Sequence, residues 1–307
     1  MFNIITKVGK INDFACKRKR LKNIFFCLCK LRIFANLKMK MGKRLFWVVI
    51  VSVFAVSCGT YRKIQKSQDP DLKYNAAKNY FQDKKYSKAA SLFDDLSTYY
   101  RGTRKAQEIL YMLAESYMGQ KDYYSAVEHY KIYVKNFPQG DYIRECTYMK
   151  GYCNYLLSPD ARLDQTYTHE AIAAFEDFVA AFPNSDKVPE AYGYIEELNE
   201  KLAYKAYLNA KLYYNLGIYL GNNYRSAIIV AENALKDYPE TKYREDLFFL
   251  ILSAKYKEAV HSVAERKQER YREVVDEYYN YENEFPDGKN IKTAKKYFKE
   301  ANNYIKE

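Results

Sequence analysis

A period of 37 residues governs what this chain can fold into. Tyr74, Tyr111 and Tyr148 recur at that spacing, as do Ala77, Ala114 and Gly151, and Tyr80, Tyr117 and Asn154. Self-similarity at roughly 20–50 residues marks a stack of one supersecondary unit, because a single unit cannot bury its apolar face alone. A second set follows within each unit: Tyr86, Ala89 and Phe93, then Tyr123, Ala126 and Tyr130. Small residues let two helices approach, and aromatic residues fill the space between neighbouring pairs. No alternating β pattern of useful length appears.

The units then close on an aromatic–proline step: Phe137–Pro138, Phe182–Pro183, Tyr238–Pro239 and Phe285–Pro286. Proline lacks the amide needed to continue a helix. This order of small, aromatic, small, aromatic and proline residues is the tetratricopeptide pattern. The expected fold is all-α: a tetratricopeptide-repeat solenoid of about five helix pairs with a C-terminal capping helix. The units fall near 70–102, 104–139, 141–184, 187–240 and 242–287. Asp69–Pro70–Asp71 supplies a capping oxygen, a proline at the first helical position and an acid in the first turn. The first unit has Arg101 where the others have proline, and the third carries about eight extra residues between its helices. The fourth and fifth have longer first helices or turns, and Val274 stands where a small residue is expected.

Charge separates the repeats from what precedes them. The chain lists 50 Lys and Arg against 38 Asp and Glu, yet residues 1–57 hold 13 of the bases and a single acid, Asp13. From Cys58 onward, 37 bases face 37 acids, so a nucleic-acid partner is not indicated. Within the basic leader, Lys43 and Arg44 precede twelve uncharged residues, Leu45–Val56. A membrane span needs about 20. A short basic region, a short apolar region and small residues describe a secretory signal. The ending Ala55–Val56–Ser57–Cys58 resembles a bacterial lipobox, with alanine where leucine is usual. A buried segment and an uncleaved anchor are the other readings. The domains expected are a leader (1–40) that is an overextended start or a disordered basic segment, a lipoprotein signal (41–57), a tether (58–69) and the repeat domain (70–307). Cys58 would be acylated and anchor the chain to a membrane. Cys146 and Cys153, seven apart on one helix, are expected to be small buried thiols and not a disulfide.

These features, with YRGT at 100–103, YMKGYCNYLLSP at 148–159 and LDQTYTHEAIAAFEDFVAAFPNS at 163–185, resemble the BamD family of outer-membrane lipoproteins. The likeness covers about 58–290, is strongest through 185 and weakens past 240. It implies a non-catalytic scaffold on the periplasmic face of the outer membrane. Its partners would be BamA, other assembly-machine subunits and unfolded outer-membrane proteins, with no cofactor.

A peptide groove would be lined by Tyr74, Tyr111 and Tyr148 from the first helices, with Phe81, Met118 and Tyr155 at a second position and Tyr152 at a third. Ordinary packing between repeats is the competing role for each. Arg244, Glu245 and Asp246 occupy a position resembling the family's surface toward BamA, or else form a solvated helix start. Thr168 is expected to cap the second helix of unit three with Glu170 in its first turn, while Asp164 and Gln165 tie down the loop or touch a partner. An enzyme is not indicated. His129, His169 and His261 lie in three different units without metal spacing, and the 11 glycines form no phosphate loop. Other helical-repeat lipoproteins, binding glycans or scaffolding cell-wall enzymes, share the fold class.

Overall fold

The computed structural model describes residues 60–306. The leader, the signal-like segment and Cys58 lie outside these residues. The described chain falls into two units, 60–68 and 69–306. The first contains a short helix over 60–66. The second holds eleven helices and, among the described residues, no strand.

Five antiparallel pairs follow one another: α1 (Pro70–Gln82) with α2 (Tyr86–Tyr99), α3 (Lys105–Gly119) with α4 (Tyr123–Asn136), α5 (Ile143–Leu157) with α6 (Thr166–Ala181), α7 (Val188–Leu216) with α8 (Asn223–Asp237), and α9 (Arg244–Val260) with α10 (Ala264–Glu284). A last helix, α11 (Ile291–Lys306), covers the end of the stack and buries Ala294 and Ala301 on it. This is the repeat solenoid that the 37-residue period requires.

Local chemistry explains the boundaries. Asp69 caps α1 through Oδ1, which accepts from the amides of Asp71 (3.0 Å) and Leu72 (3.2 Å). Four helices stop on the residue before a proline, and all four stop in the same conformation. Phe137, Phe182, Tyr238 and Phe285 have φ between −131° and −135° and ψ between 58° and 68°. The proline ring excludes the helical region for its predecessor, so the chain must turn there. Three of these aromatic rings then fold back onto the ring one turn earlier, as Phe137 does on Tyr133, Phe182 on Phe178 and Phe285 on Tyr281.

Burial is arranged as a chain of clusters, each knitting three successive helices. One joins Ala114, Tyr130, Tyr133, Cys146 and Cys153 across α3, α4 and α5. The next joins Tyr148, Phe175, Phe178 and Ala191 across α5, α6 and α7. Two more run through α7–α8–α9 and α9–α10–α11. Cys146 and Cys153 are free, buried thiols, as expected. The repeat alanines Ala77 and Ala114 are fully buried. At Gly151 a Cβ would lie 2.8 Å from the Phe175 ring, so only glycine lets α6 come this close.

The irregular units differ from the repeat in distinct ways. Eight residues, 158–165, separate α5 from α6. Gln165, 4% exposed, ties this loop together: Nε2 donates to the carbonyls of Asp160 (2.9 Å) and Leu163 (3.1 Å), and Oε1 accepts from Thr168 (2.7 Å). Thr168 therefore does not cap α6. It lies inside the helix, its hydroxyl is spent on Gln165 and Ser158, and Asp164 accepts the amide of Thr166 instead. The first turn of α6 holds no acid, so Glu170 lies beyond it. Unit four lengthens its first helix to 29 residues, whereas unit five lengthens its second, α10, to 21. Val274 is fully buried and fills the space a smaller residue would leave.

Candidate partner-binding surfaces

The tyrosines expected to line a groove divide by what they touch. Tyr74 on α1 donates its hydroxyl to Glu108 on α3 (2.6 Å) and meets Tyr100 edge-on at 6.5 Å. Tyr111 on α3 stacks on Tyr142 at 4.2 Å, just before α5. The fourth unit repeats this joint, with Tyr204 and Tyr207 stacked on Tyr243. Each contact links a first helix to the start of the next unit. Burial raises the pKa values of the Tyr74 and Tyr111 hydroxyls, so both stay protonated. Phe81 packs edge-on against Tyr86, and Met118 places its sulfur 3.6 Å from the Cys153 thiol.

The third unit gathers three of the expected residues into one aromatic patch. Tyr148, Tyr152 and Tyr155 stack in series along α5, with centroids 6.3 and 6.2 Å apart. Helical spacing alone puts positions three and four apart on one face. Tyr148 is buried, packed edge-on against Phe175 and Phe178, and roofed by the Lys187 ammonium at 4.1 Å. Tyr152 and Tyr155 are half-buried. Tyr194 from α7 completes the patch, 4.5 Å from Tyr155 and 5.7 Å from Tyr152. Carboxylates accept the hydroxyls at the rim: Glu197 takes Tyr155 (2.9 Å) and Glu190 takes Tyr194 (3.0 Å). Burial together with Glu190 pushes the Tyr194 hydroxyl up to about 12. The patch thus presents aromatic faces rimmed by hydrogen-bonding carboxylates.

Sequence reasoning missed Tyr194, which belongs to the next unit. Its placement six residues into α7 is close to that of Tyr148 within α5, five residues in, and this was the available signal.

Arg244, Glu245 and Asp246 open α9 and are all half-buried. Arg244 pairs with Glu284 (3.0 Å), donates to the Pro239 carbonyl (3.0 Å) and lies over the Phe248 ring. Glu245 accepts the Tyr281 hydroxyl (2.8 Å), and Asp246 pairs with Lys289 (2.7 Å). The three side chains bind unit five to unit four and to the turn before α11. No group of His, Cys, Asp and Glu able to hold a metal occurs among the described residues.

The YfiO family model, described as an outer membrane lipoprotein, matches residues 66–270. The chain belongs to this family. The YfiO match runs from just before α1 into α10 and so covers the aromatic patch and Arg244–Asp246, stopping short of their partners Tyr281, Glu284 and Lys289. Among curated relatives, the outer membrane protein assembly factor BamD of Rickettsia prowazekii (strain Madrid E) is 24% identical over 246 residues, 80% of this chain and 94% of that protein. The putative outer membrane protein assembly factor BamD of Aquifex aeolicus (strain VF5) is 30% identical over 199 residues, 62% of this chain and 61% of its own length. The resemblance read from residues 100–103, 148–159 and 163–185 is thereby borne out. A solved structure, the TPR2AB domain of yeast Sti1 in complex with pHSP90, overlaps with a TM-score of 0.34 at 13% identity, covering 76% of this chain and 98% of that one.

Proposed function

We propose that this chain is a lipid-anchored, non-catalytic scaffold of the machinery that assembles outer-membrane β-barrel proteins. The observation that carries the reading is the YfiO match across nearly the whole repeat array, together with relatives named as outer membrane protein assembly factors. In this reading an acylated Cys58 tethers the array to the outer membrane on its periplasmic face. Tyr152 and Tyr155, supported by Tyr148 and joined by Tyr194, receive aromatic side chains of an unfolded barrel strand. Tyr74, Phe81, Tyr111 and Met118 extend that surface toward the N-terminal repeats. Arg244, Glu245 and Asp246 face BamA.

Pull-down from solubilised outer membrane tests the assignment. Recovery of BamA supports it; recovery of a glycan transporter or of cell-wall enzymes in its place refutes it. The anchor is tested separately by Cys58→Ala, which should release the protein from membranes. For the BamA face, the exchange Arg244→Glu with Glu284→Arg keeps the ion pair but reverses its polarity. The exchanged protein should fold and lose BamA, and undiminished copurification would remove this surface from the proposal.

A further inference from the structure

The turn between α7 and α8 holds apolar side chains away from the protein. Ile218, Tyr219 and Leu220 are 62%, 66% and 91% exposed, and Leu212 and Leu216 on the last turns of α7 are exposed below them. This turn is built and not slack. Gly217 takes φ +57, where a Cβ would lie 2.8 Å from the Tyr224 hydroxyl, so Tyr224 packs directly under the turn. The Asn223 amide donates to the Gly217 carbonyl (2.9 Å), and its side chain donates to the Tyr219 carbonyl (2.6 Å).

The corresponding turns of other units show what is unusual. Units one, two and four each place one non-glycine residue at positive φ between their two helices: Lys84 (57°), Lys121 (61°) and Leu220 (54°). In the first two it is a lysine pointing to water. In the fourth it is a leucine, in a conformation that costs energy for any side chain and yields no burial in return.

Charge is equally one-sided here. No charged residue occurs from Leu212 to Tyr224, and Lys211 and Arg225 bracket that run. From Lys201 to Ala231 there are four bases and no acid, in a repeat array (70–307) whose other residues carry 30 bases against 36 acids. Acids of unit five lie beside the turn. Glu258, Glu269 and Glu273 line the cleft beside it together with Arg225, Arg266 and Arg270, three acids against three bases.

We propose that this turn is a wedge for an anionic phospholipid surface. Leu220 and Ile218 enter the boundary between headgroups and acyl chains, Tyr219 sits at headgroup level, and Lys211 and Arg225 reach the phosphates. An aliphatic tip with an adjacent aromatic ring and basic flanks is what the bilayer interface selects. A protein anchor typically fills a pocket, whereas three successive side chains projecting from a convex turn match a deformable surface. The wedge goes beyond the proposed function and does not depend on Cys58.

A single-tryptophan probe tests it in the full chain. Trp47 is the only tryptophan. With Trp47→Phe in place, Leu220→Trp reports the tip, and Tyr124→Trp, also exposed, reports a remote face. Tyr219→Trp repeats the reading at a residue without positive φ. Each protein is mixed with phosphatidylglycerol vesicles carrying acyl-brominated phosphatidylcholine. Emission from positions 220 and 219 should shift to the blue and be quenched about twofold or more, with position 124 unaffected. Adding Ile218→Asp should abolish the quenching at 220. An unshifted, unquenched tip overturns the proposal. So does a blue shift without vesicles, which would show self-association, or one that needs an added protein partner.

Discussion

The aromatic patch of unit three and the turn of unit four draw on the same residue types and put them to opposite uses. Tyr148, Tyr152, Tyr155, Phe175 and Tyr194 cover one another, and the hydroxyls of Tyr155 and Tyr194 are taken by Glu197 and Glu190. Ile218, Tyr219 and Leu220 remain mostly exposed and are held outward by a pinned backbone. In the first region most of the aromatic surface serves the fold, and only its half-buried edge remains for a partner. In the second the surface is free, and the fold has spent conformational energy to keep it so.

Substitutions should separate the two regions sharply. Phe175→Ala removes a fully buried ring from the patch and should cost about 3–5 kcal/mol, read as a lower midpoint in urea. A cost under about 1 kcal/mol would mean the patch is not the core it looks like. Gly151→Ala forces a methyl group against that ring and should cost about 1–3 kcal/mol, with Phe175→Leu relieving part of it. Glu115 offers a milder probe of the buried side. Burial raises its pKa from the ordinary 4.5, and its carboxylate accepts the Tyr130 hydroxyl. A raised folded-state value favours folding below the unfolded pKa and loses that contribution as pH rises through the folded one. Glu115→Gln keeps an acceptor for Tyr130. Its thermal midpoint should therefore gain on the parent as pH rises from 4 to 7, roughly over the span set by the carboxylate's titration; parallel profiles would contradict the shift. Leu220→Asp should change stability by no more than about 0.5 kcal/mol, because nothing packs on that side chain. A large loss there would erase the distinction between the regions.

Where helix boundaries depend on a local rule, the sequence carried them. The aromatic–proline steps ended four helices because the residue before proline has few conformations to choose from. Small residues at the 37-residue spacing located the crossings for a similar reason: at Gly151 there is no room for anything larger. Choices among equally plausible capping acceptors were not legible. Asp164, Gln165 and Thr168 could each cap α6, and the loop conformation decides between them. The aromatic patch was legible only in part, because Tyr194 from the next unit covers Tyr152 and Tyr155 and Lys187 covers Tyr148. Ile218, Tyr219 and Leu220 look like core by composition, and only their placement on the turn between α7 and α8 shows otherwise.

The length of α7 also bears on how the array can move. A helix of 29 residues spans about 43 Å, and its buried residues run from Ala191, packed with unit three, to Ala210, packed with unit four. Units three and four therefore share a splint. Load applied to one passes to the other without an intervening joint, so amide exchange along α5 to α8 should open as one block. Any bending of the array is left to the short connections on either side of it.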